Sequence, residues 1–316
     1  MTELGADVDA TFGAVGLTRA DLADPEGLIP YAQLERLLIE CEQRTGCDHF
    51  ALLMSQDVRL DDFGLTGRVV RCAATVGDGL SALVRLYNLR RGGGLLHLVS
   101  SENPAQLVFS MAAPGTLDTH RYQMGAMVIV FNVLRDLCGH DWQPSEVRFA
   151  FRSPHNVQPF LRFFRTPVHF DAVESAVLFH REWLDRRLPP VDQAFRLAVA
   201  DEERRAHRQA YEDLPGLVRD MIRKQLSYGP CSSIRVAAAL SMHRRTLHRR
   251  LVESGETFRE VKRAVECEIA QQLLRETDLP VQRIADFLHF SSTANFATAF
   301  LQWTGNTPTE YRAKES

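Results

Sequence analysis

Residues 236–242 and 284–290 repeat one pattern at a constant offset of 48 positions. Val236 falls on Ile284, Ala237 on Ala285, Leu240 on Leu288 and Met242 on Phe290. Each copy reads as a short helix with a β-branched residue beside an alanine, then a turn closed by a large apolar residue. A second amphipathic helix starts just beyond, with Leu247 and Leu251 inward in the first copy and Phe296 and Phe300 in the second. An alanine lets two helices cross closely, a tight turn fixes their angle, and the outer helix keeps one face free. That is the layout of a helix-turn-helix, whose outer helix lies in the major groove of duplex DNA. A chance helix pair could imitate one copy. Two copies in register, the first with a basic outer helix, weigh strongly against chance.

Between the copies, Phe258, Val261, Val265, Ile269, Leu273 and Leu274 mark one helix over Thr257 to Thr277. At ~20 residues it would span ~30 Å. Successive major-groove faces on one side of B-DNA lie about 34 Å apart, so such a connector could set both outer helices into adjacent turns of the groove. From Leu214 onward only helical patterns occur, broken at Gly229-Pro230, Gly255, Pro280, Gly305 and Pro308.

The first part of the chain mixes periods. Helices are predicted over Pro30 to Arg44, Asp78 to Leu89, Thr119 to Leu137, Val157 to Arg165 and Val191 to Ala206. Leu95 to Ser100 and Gln106 to Met111 read as a strand pair around Glu102-Asn103-Pro104, and Val147 to Phe151, Val168 to Phe170 and Val177 to Phe179 as three short strands. The charged run Asp201-Glu202-Glu203-Arg204-Arg205 has the composition of a solvated connector. The expected architecture is multidomain. An α+β domain covers residues 1–206, and an all-α domain covers 207–316 with helix-turn-helix units at about 233–253 and 281–304.

The net charge of −3 would not by itself suggest a nucleic-acid partner, but the charge is uneven. Residues 1–206 carry 21 Lys and Arg against 27 Asp and Glu, and 207–316 carry 16 against 13. Within 233–263 the balance is 8 against 3, through Arg235, Arg244, Arg245, Arg249, Arg250, Arg259, Lys262 and Arg263. Double-stranded DNA is therefore expected against this segment. With Leu247 and Leu251 inward, Arg245, His248 and Arg249 are the base-reading candidates, since arginine can hold guanine through two hydrogen bonds. Arg244 and Arg250 lie further round and are assigned to phosphates. In the second unit Thr293, Ala294, Ala297 and Thr298 face outward, with Thr293, Ala297 and Thr298 as readers. Ser291 or Ser292 would cap the helix and donate to a phosphate. Trp303 and Tyr311 suit core packing.

Enzyme chemistry finds little support. His97, His120, His140, His155, His169 and His180 show no H-E-x-x-H spacing, and the chain has no G-x-S-x-G elbow or phosphate loop. Gly92-Gly93-Gly94 reads as a loop before a strand. Six scattered cysteines lack metal-ligand spacing and read as buried free thiols, so neither metal nor cofactor is expected. The most apolar run, Met124 to Leu134, is too short to span a bilayer. The acidic start lacks the features of a secretory signal, which points to the cytoplasm.

Ile284-Ala285, Leu288, Phe290, Phe296, Phe300, Trp303-Thr304-Gly305, Thr307-Pro308 and Tyr311-Arg312 together resemble the signature of the AraC/XylS family. Arg245-Thr246-Leu247-His248-Arg249-Arg250-Leu251 resembles its first recognition helix, so the resemblance spans about 100 residues. It implies a two-reader DNA domain of seven helices that activates or sometimes represses transcription, with promoter or operator DNA and RNA polymerase as partners. Val147-Arg148-Phe149, Phe163-Phe164, Pro167-Val168-His169-Phe170, Leu178-Phe179 and Leu188-Pro189 are similar to the arabinose-binding-like effector domain of one family branch. That resemblance implies a small-molecule effector of unnamed chemistry, or alternatively a domain that serves only to form a homodimer.

The chain departs from the family pattern at several positions. Ser241 and His289 stand at turn positions that the family usually fills with glycine, the residue that best tolerates positive φ, so an altered turn or some loss of stability is expected. Thr298, Leu301 and Gln302 replace common basic residues, and Glu266 replaces a common arginine. The second reader is thus expected to be electrostatically weak.

Overall fold

The computed structural model describes residues 1, 4–22, 29, 31–89, 94–111, 119–139, 141–226, 229–240 and 242–315. The chain divides into two compact units, an α+β one and an all-helical one. The first comprises Met1–Leu86, Leu96–Ser110 and Thr119–Glu203; the second comprises Arg204–Ser316 with Tyr87–Leu95 and Met111–Asp118.

The first unit begins with helices α1 (Val8–Ala14), α2 (Tyr31–Thr45), α3 (Phe50–Ser55), α4 (Gly64–Arg71) and α5 (Val76–Leu89). Strands β1 (Leu95–Val99) and β2 (Ala105–Ser110), helix α6 (His120–Cys138), strand β3 (Glu146–Arg148), helix α7 (Gln158–Phe164), and strands β4 (Val168–His169) and β5 (Ser175–Phe179) follow. The strands form one sheet in the order β1-β2-β5-β3-β4. β5 pairs antiparallel with β2, Ala105 opposite Phe179, and with β3, Val147 opposite Val177. β4 runs parallel to β3, Val147 opposite Val168. All five residues of β5 are buried, as a continuous apolar run at the centre of a covered sheet should be.

Helix α6 is the spine of this unit. Eleven of its nineteen residues are buried, more than one amphipathic stripe supplies, because it packs against β2 and β5 as well as against α2 and α3. A Cβ at Gly125 would come within 2.9 Å of Ser55 Oγ, so any larger residue there would force the Ser55 side chain to shift where α3 and α6 cross. Asn132, fully buried on α6, donates its Nδ2 to the carbonyls of Ser55, Gln56 and Val58 at 3.3, 3.0 and 3.0 Å. It thereby ties α6 to carbonyls in the turn that follows α3. The predicted strand over 147–151 stops at Arg148, and beyond it Phe149 and Phe151 pack into an aromatic cluster. Phe149 stacks on Phe170 at 5.4 Å and meets Phe160 edge-on at 5.5 Å. The short helices α1, α3 and α4 were not anticipated from periodicity.

Helix α8 (Gln193–Ala210) holds Glu202 and Glu203 in ion pairs with Arg68 and Arg85. Beyond it come α9 (Leu214–Leu226), α10 (Ser233–Ala239), α11 (Arg244–Glu253), α12 (Phe258–Glu276), α13 (Val281–Phe287), α14 (Thr293–Thr304) and α15 (Pro308–Glu315). These last seven helices surround a core of Val236, Leu240, Leu251, Val261, Ile284, Phe296 and Phe300. Arg312 on α15 donates to the carbonyls of Leu274 and Leu279, closing the end of α12. Tyr311 packs edge-on against Phe300 at 5.4 Å. No helix among the described residues is long and apolar enough to cross a membrane. His140, Ser241 and Gly92-Gly93 lie outside the described residues.

Candidate nucleic-acid interface

The two helix pairs, α10–α11 and α13–α14, close in the same way. The Met242 amide donates to the Ala237 carbonyl at 2.8 Å, and the Phe290 amide to the Ala285 carbonyl at 3.0 Å. Donor and acceptor are both shifted by the repeat offset. This bond, from the second residue past the helix end back to its last turn, is the main bond of a Schellman ending. It needs a left-handed residue in between, and in the second copy His289 supplies it with φ of 58°. The turn is therefore kept without glycine. The His289 ring also reaches outward, its Nε2 lying 2.8 Å from the Leu226 carbonyl at the end of α9.

The inner faces match as closely. Val236, Ala237, Leu240, Leu247 and Leu251 are at most 1% exposed, and Ile284, Ala285, Leu288, Phe296 and Phe300 at most 2%. Each outer helix has its own cap. His243 Nδ1 accepts from the Arg245 amide at 3.3 Å, and Ser292 Oγ accepts from the Asn295 amide at 3.2 Å. Of the two serines, Ser292 is thus the cap, while Ser291 Oγ accepts from Asn295 Nδ2 at 2.7 Å. Helix α12, capped by a reciprocal Thr257–Glu260 pair, has 19 residues, which at 1.5 Å per residue is ~28 Å.

The outer faces differ. On α11, Arg244, Arg245, His248, Arg249 and Arg250 are all exposed. Arg249 makes only a loose solvent-exposed pair with Glu253 at 3.7 Å, weak enough to yield to a better anion. Arg250 instead has its guanidinium over the ring of Tyr211, 5.7 Å from the centroid. On α14, Thr293, Ala294 and Thr298 are exposed and Ala297 is half-buried. The Thr298 hydroxyl donates to the Ala294 carbonyl at 3.0 Å, so its hydrogen is already used within the helix.

Several charges counted in the sequence have local partners. Lys262 sits 3.4 Å from Glu266, whose carboxyl pKa is raised by burial, with Lys262 opposing. Arg235 donates to the Pro230 carbonyl at 3.2 Å. Arg259 and Arg263 line a cavity of about 560 Å³ between α12 and α14, beside Phe290, Gln302 and Trp303. Sequence reasoning missed Tyr211, whose sole signal was an aromatic residue just past a charged helix. Among the described residues no group of three side chains is placed to hold a metal ion.

Two family models and several known proteins match the chain. Residues 5–188 match the model of the arabinose-binding domain of AraC transcription regulator, and residues 236–314 match a helix-turn-helix domain model. The chain is similar to the ornithine utilization regulator of Pseudomonas aeruginosa, 24% identical over 99% of this chain and 92% of that protein. It is also similar to the HTH-type transcriptional regulator VqsM of the same organism, 28% identical over 80% of each. Among solved structures, the transcriptional regulator CdpR from Pseudomonas aeruginosa aligns over 98% of this chain and 99% of that one, with 22% identity and a TM-score of 0.47.

Proposed function

The chain belongs to the AraC/XylS family of DNA-binding transcriptional regulators, and from that premise we propose that it is an effector-responsive activator whose second unit reads two adjacent major-groove segments on one face of a duplex. The observation that carries this reading is the repeated turn, which presents α11 and α14 outward from matching inner faces on either side of α12. Arg245, His248 and Arg249 read bases in the first segment, and Arg244 and Arg250 hold phosphates. Thr293, Ala297 and Thr298 read the second, with Ser291 and Ser292 at its backbone. RNA polymerase is the partner recruited, and the site of action is the cytoplasm.

The unit formed mainly by residues 1–203 binds a small molecule and performs no chemistry on it. A ligand that binds one arrangement of the regulator better than another shifts the population toward it, and that suffices for a switch. The ligand is sought by thermal shift of the full chain against small metabolites, starting with amino acids, ornithine included, and sugars. A stabilising compound that also changes DNA affinity supports the effector reading, and turnover of that compound overturns it. A second reading, in which this unit only pairs protomers, draws on Phe195 and Leu197, apolar side chains 42% and 59% exposed on α8. A homodimer in solution with no responding compound favours it.

A further inference from the structure

Tyr211 lies one residue beyond α8, at the corner leading into α9, and one side chain there grips the first helix-turn-helix twice. Its hydroxyl donates to the Leu240 carbonyl at 2.9 Å. Leu240 is the residue that ends α10, and its carbonyl is one of the acceptors a helix end leaves without an intrahelical donor. The ring of the same tyrosine lies under the guanidinium of Arg250, in the last turn of α11. The ring is itself braced by His207, with centroids 4.7 Å apart, and by backbone bonds to the His207 and Arg208 carbonyls. The hydroxyl therefore holds the turn that sets the direction of α11, while the ring holds a charged residue on α11 itself.

The second helix-turn-helix is braced differently. Its turn is held by His289 reaching back to the Leu226 carbonyl. The grip of Tyr211 is thus specific to the unit whose outer helix carries the arginines.

We propose that Tyr211 is a positioning residue for DNA recognition, setting the angle of α11 through Leu240 and the aim of Arg250 through its ring. The inference rests on the reading of α11 as the first DNA reader. Tyr211 touches no base. It acts by restricting where Arg245, His248, Arg249 and Arg250 point, so its loss blurs discrimination more than it lowers general affinity. Tyr211→Phe removes the Leu240 bond and keeps the ring; Tyr211→Leu removes both.

The experiment uses the full chain and a duplex selected by it from a random pool, with a scrambled duplex at the same salt as reference. Tyr211→Phe is expected to weaken binding to the selected duplex about threefold, the scale of one neutral hydrogen bond. Tyr211→Leu is expected to weaken it about tenfold, the cation–π contact being lost as well. Binding to the scrambled duplex should change less than twofold with Tyr211→Phe, and with Tyr211→Leu should fall less than binding to the selected duplex, the shared part being the phosphate contact of Arg250. Tyr211→Leu combined with Arg250→Ala should weaken binding by less than the product of the two single losses, because the two side chains act through one contact.

Equal losses on both duplexes, no loss with Tyr211→Leu, or single effects that multiply in full would each overturn the proposal. If Tyr211→Leu lowers the melting temperature sharply, Tyr211→Phe decides the matter through discrimination alone. Arg245→Ala and Arg249→Ala serve as separate controls. If these leave discrimination intact, the reading of α11 itself falls, whereas a failure confined to the Tyr211 variants removes only its positioning role.

Discussion

The two helix-turn-helix units have the same interior and unlike exteriors. Their inner residues correspond, at an offset of 48 through the first helix and turn and of 49 on the outer helix, are buried to the same degree, and are closed by the same backbone bond. Their outer residues share almost nothing, five basic side chains on α11 answering to threonines and alanines on α14. Packing constrains the inner face to a narrow set of shapes, since a close-packed interior registers a change of even one methylene. The outer face packs against little, so its chemistry can vary without disturbing the core, and the folding constraint sits on one side of these two helices.

The largest expected effect tests the equivalence of the interiors. Leu251→Ala and Phe300→Ala each empty a fully buried position, and should cost about 2–5 and about 3–5 kcal/mol respectively. Urea unfolding followed by circular dichroism would measure both; a cost under about 1 kcal/mol in either unit would break the symmetry claimed for the inner faces. Next comes the contrast between exteriors. Arg249→Ala should cost about 1–3 kcal/mol on the selected duplex and less on scrambled DNA. Discrimination unchanged by this substitution would remove Arg249 from the readers.

Smaller effects follow from charge and hydroxyl placement. Thr298→Ala should cost at most about 0.5–1.5 kcal/mol, and toward the lower end, because its hydroxyl hydrogen is already donated to Ala294. It should also leave the salt dependence of binding unaltered, whereas Arg244→Ala should reduce the slope of log affinity against log salt by about 1. Titrations at three salt concentrations distinguish the two, and equal slopes would place Arg244 away from phosphate. The smallest effect concerns the turn. His289→Gly relieves a left-handed side chain but gives up the bond to Leu226, contributions of about 1 kcal/mol each that nearly cancel. His289→Ala keeps the strain and loses the bond, so thermal melting should rank it below His289→Gly. The reverse order would mean that left-handed strain at this position contributes nothing.

Much of the second unit was legible because its cues are local. The alanine beside a β-branched residue, the apolar spacing of α12 and the closing Trp303 and Tyr311 each act within a few turns of their own helix. In the first unit, α6 and the strand pair carried their own period, and β5 was found as an apolar run. The helices α3 and α4, of six and eight residues, were missed because so short a stretch shows too little of a 3.6-residue period, and long-range packing determines them. The predicted 147–151 strand was too long because beyond Arg148 the backbone bonds, Phe149 to His169 and Asp171 to Phe151, run into a turn at Asp171, where φ is 55°, and the aromatic side chains cluster.

At the candidate site, charge placement was readable and charge engagement was not. The sequence shows eight basic residues in 233–263, but it does not show that Arg250 lies over Tyr211 or that Lys262 faces Glu266. Such pairings join residues from different helices, or depend on which rotamer the neighbours leave open. His289 is the clearest case. The sequence marked it as a misfit in a glycine position, while in the folded chain the same ring makes a tertiary bond to a residue 63 positions away.

The matching turn bonds bear on how this domain can be rebuilt. Because the Ala237–Met242 and Ala285–Phe290 closures launch α11 and α14 from equivalent scaffolds, the exposed positions of one outer helix form a transplantable set. Writing arginines into Ala294 and Thr298 places them where Arg245 and Arg249 sit on the first outer helix, since the outer helices, from their caps His243 and Ser292 to their inward residues, correspond at an offset of 49. Such a graft leaves the packed interior untouched and duplicates one dialect of base preference along the duplex. On the proposed reading of both outer helices, the altered chain would favour a direct repeat over two unlike words, with the spacing of its halves still dictated by α12.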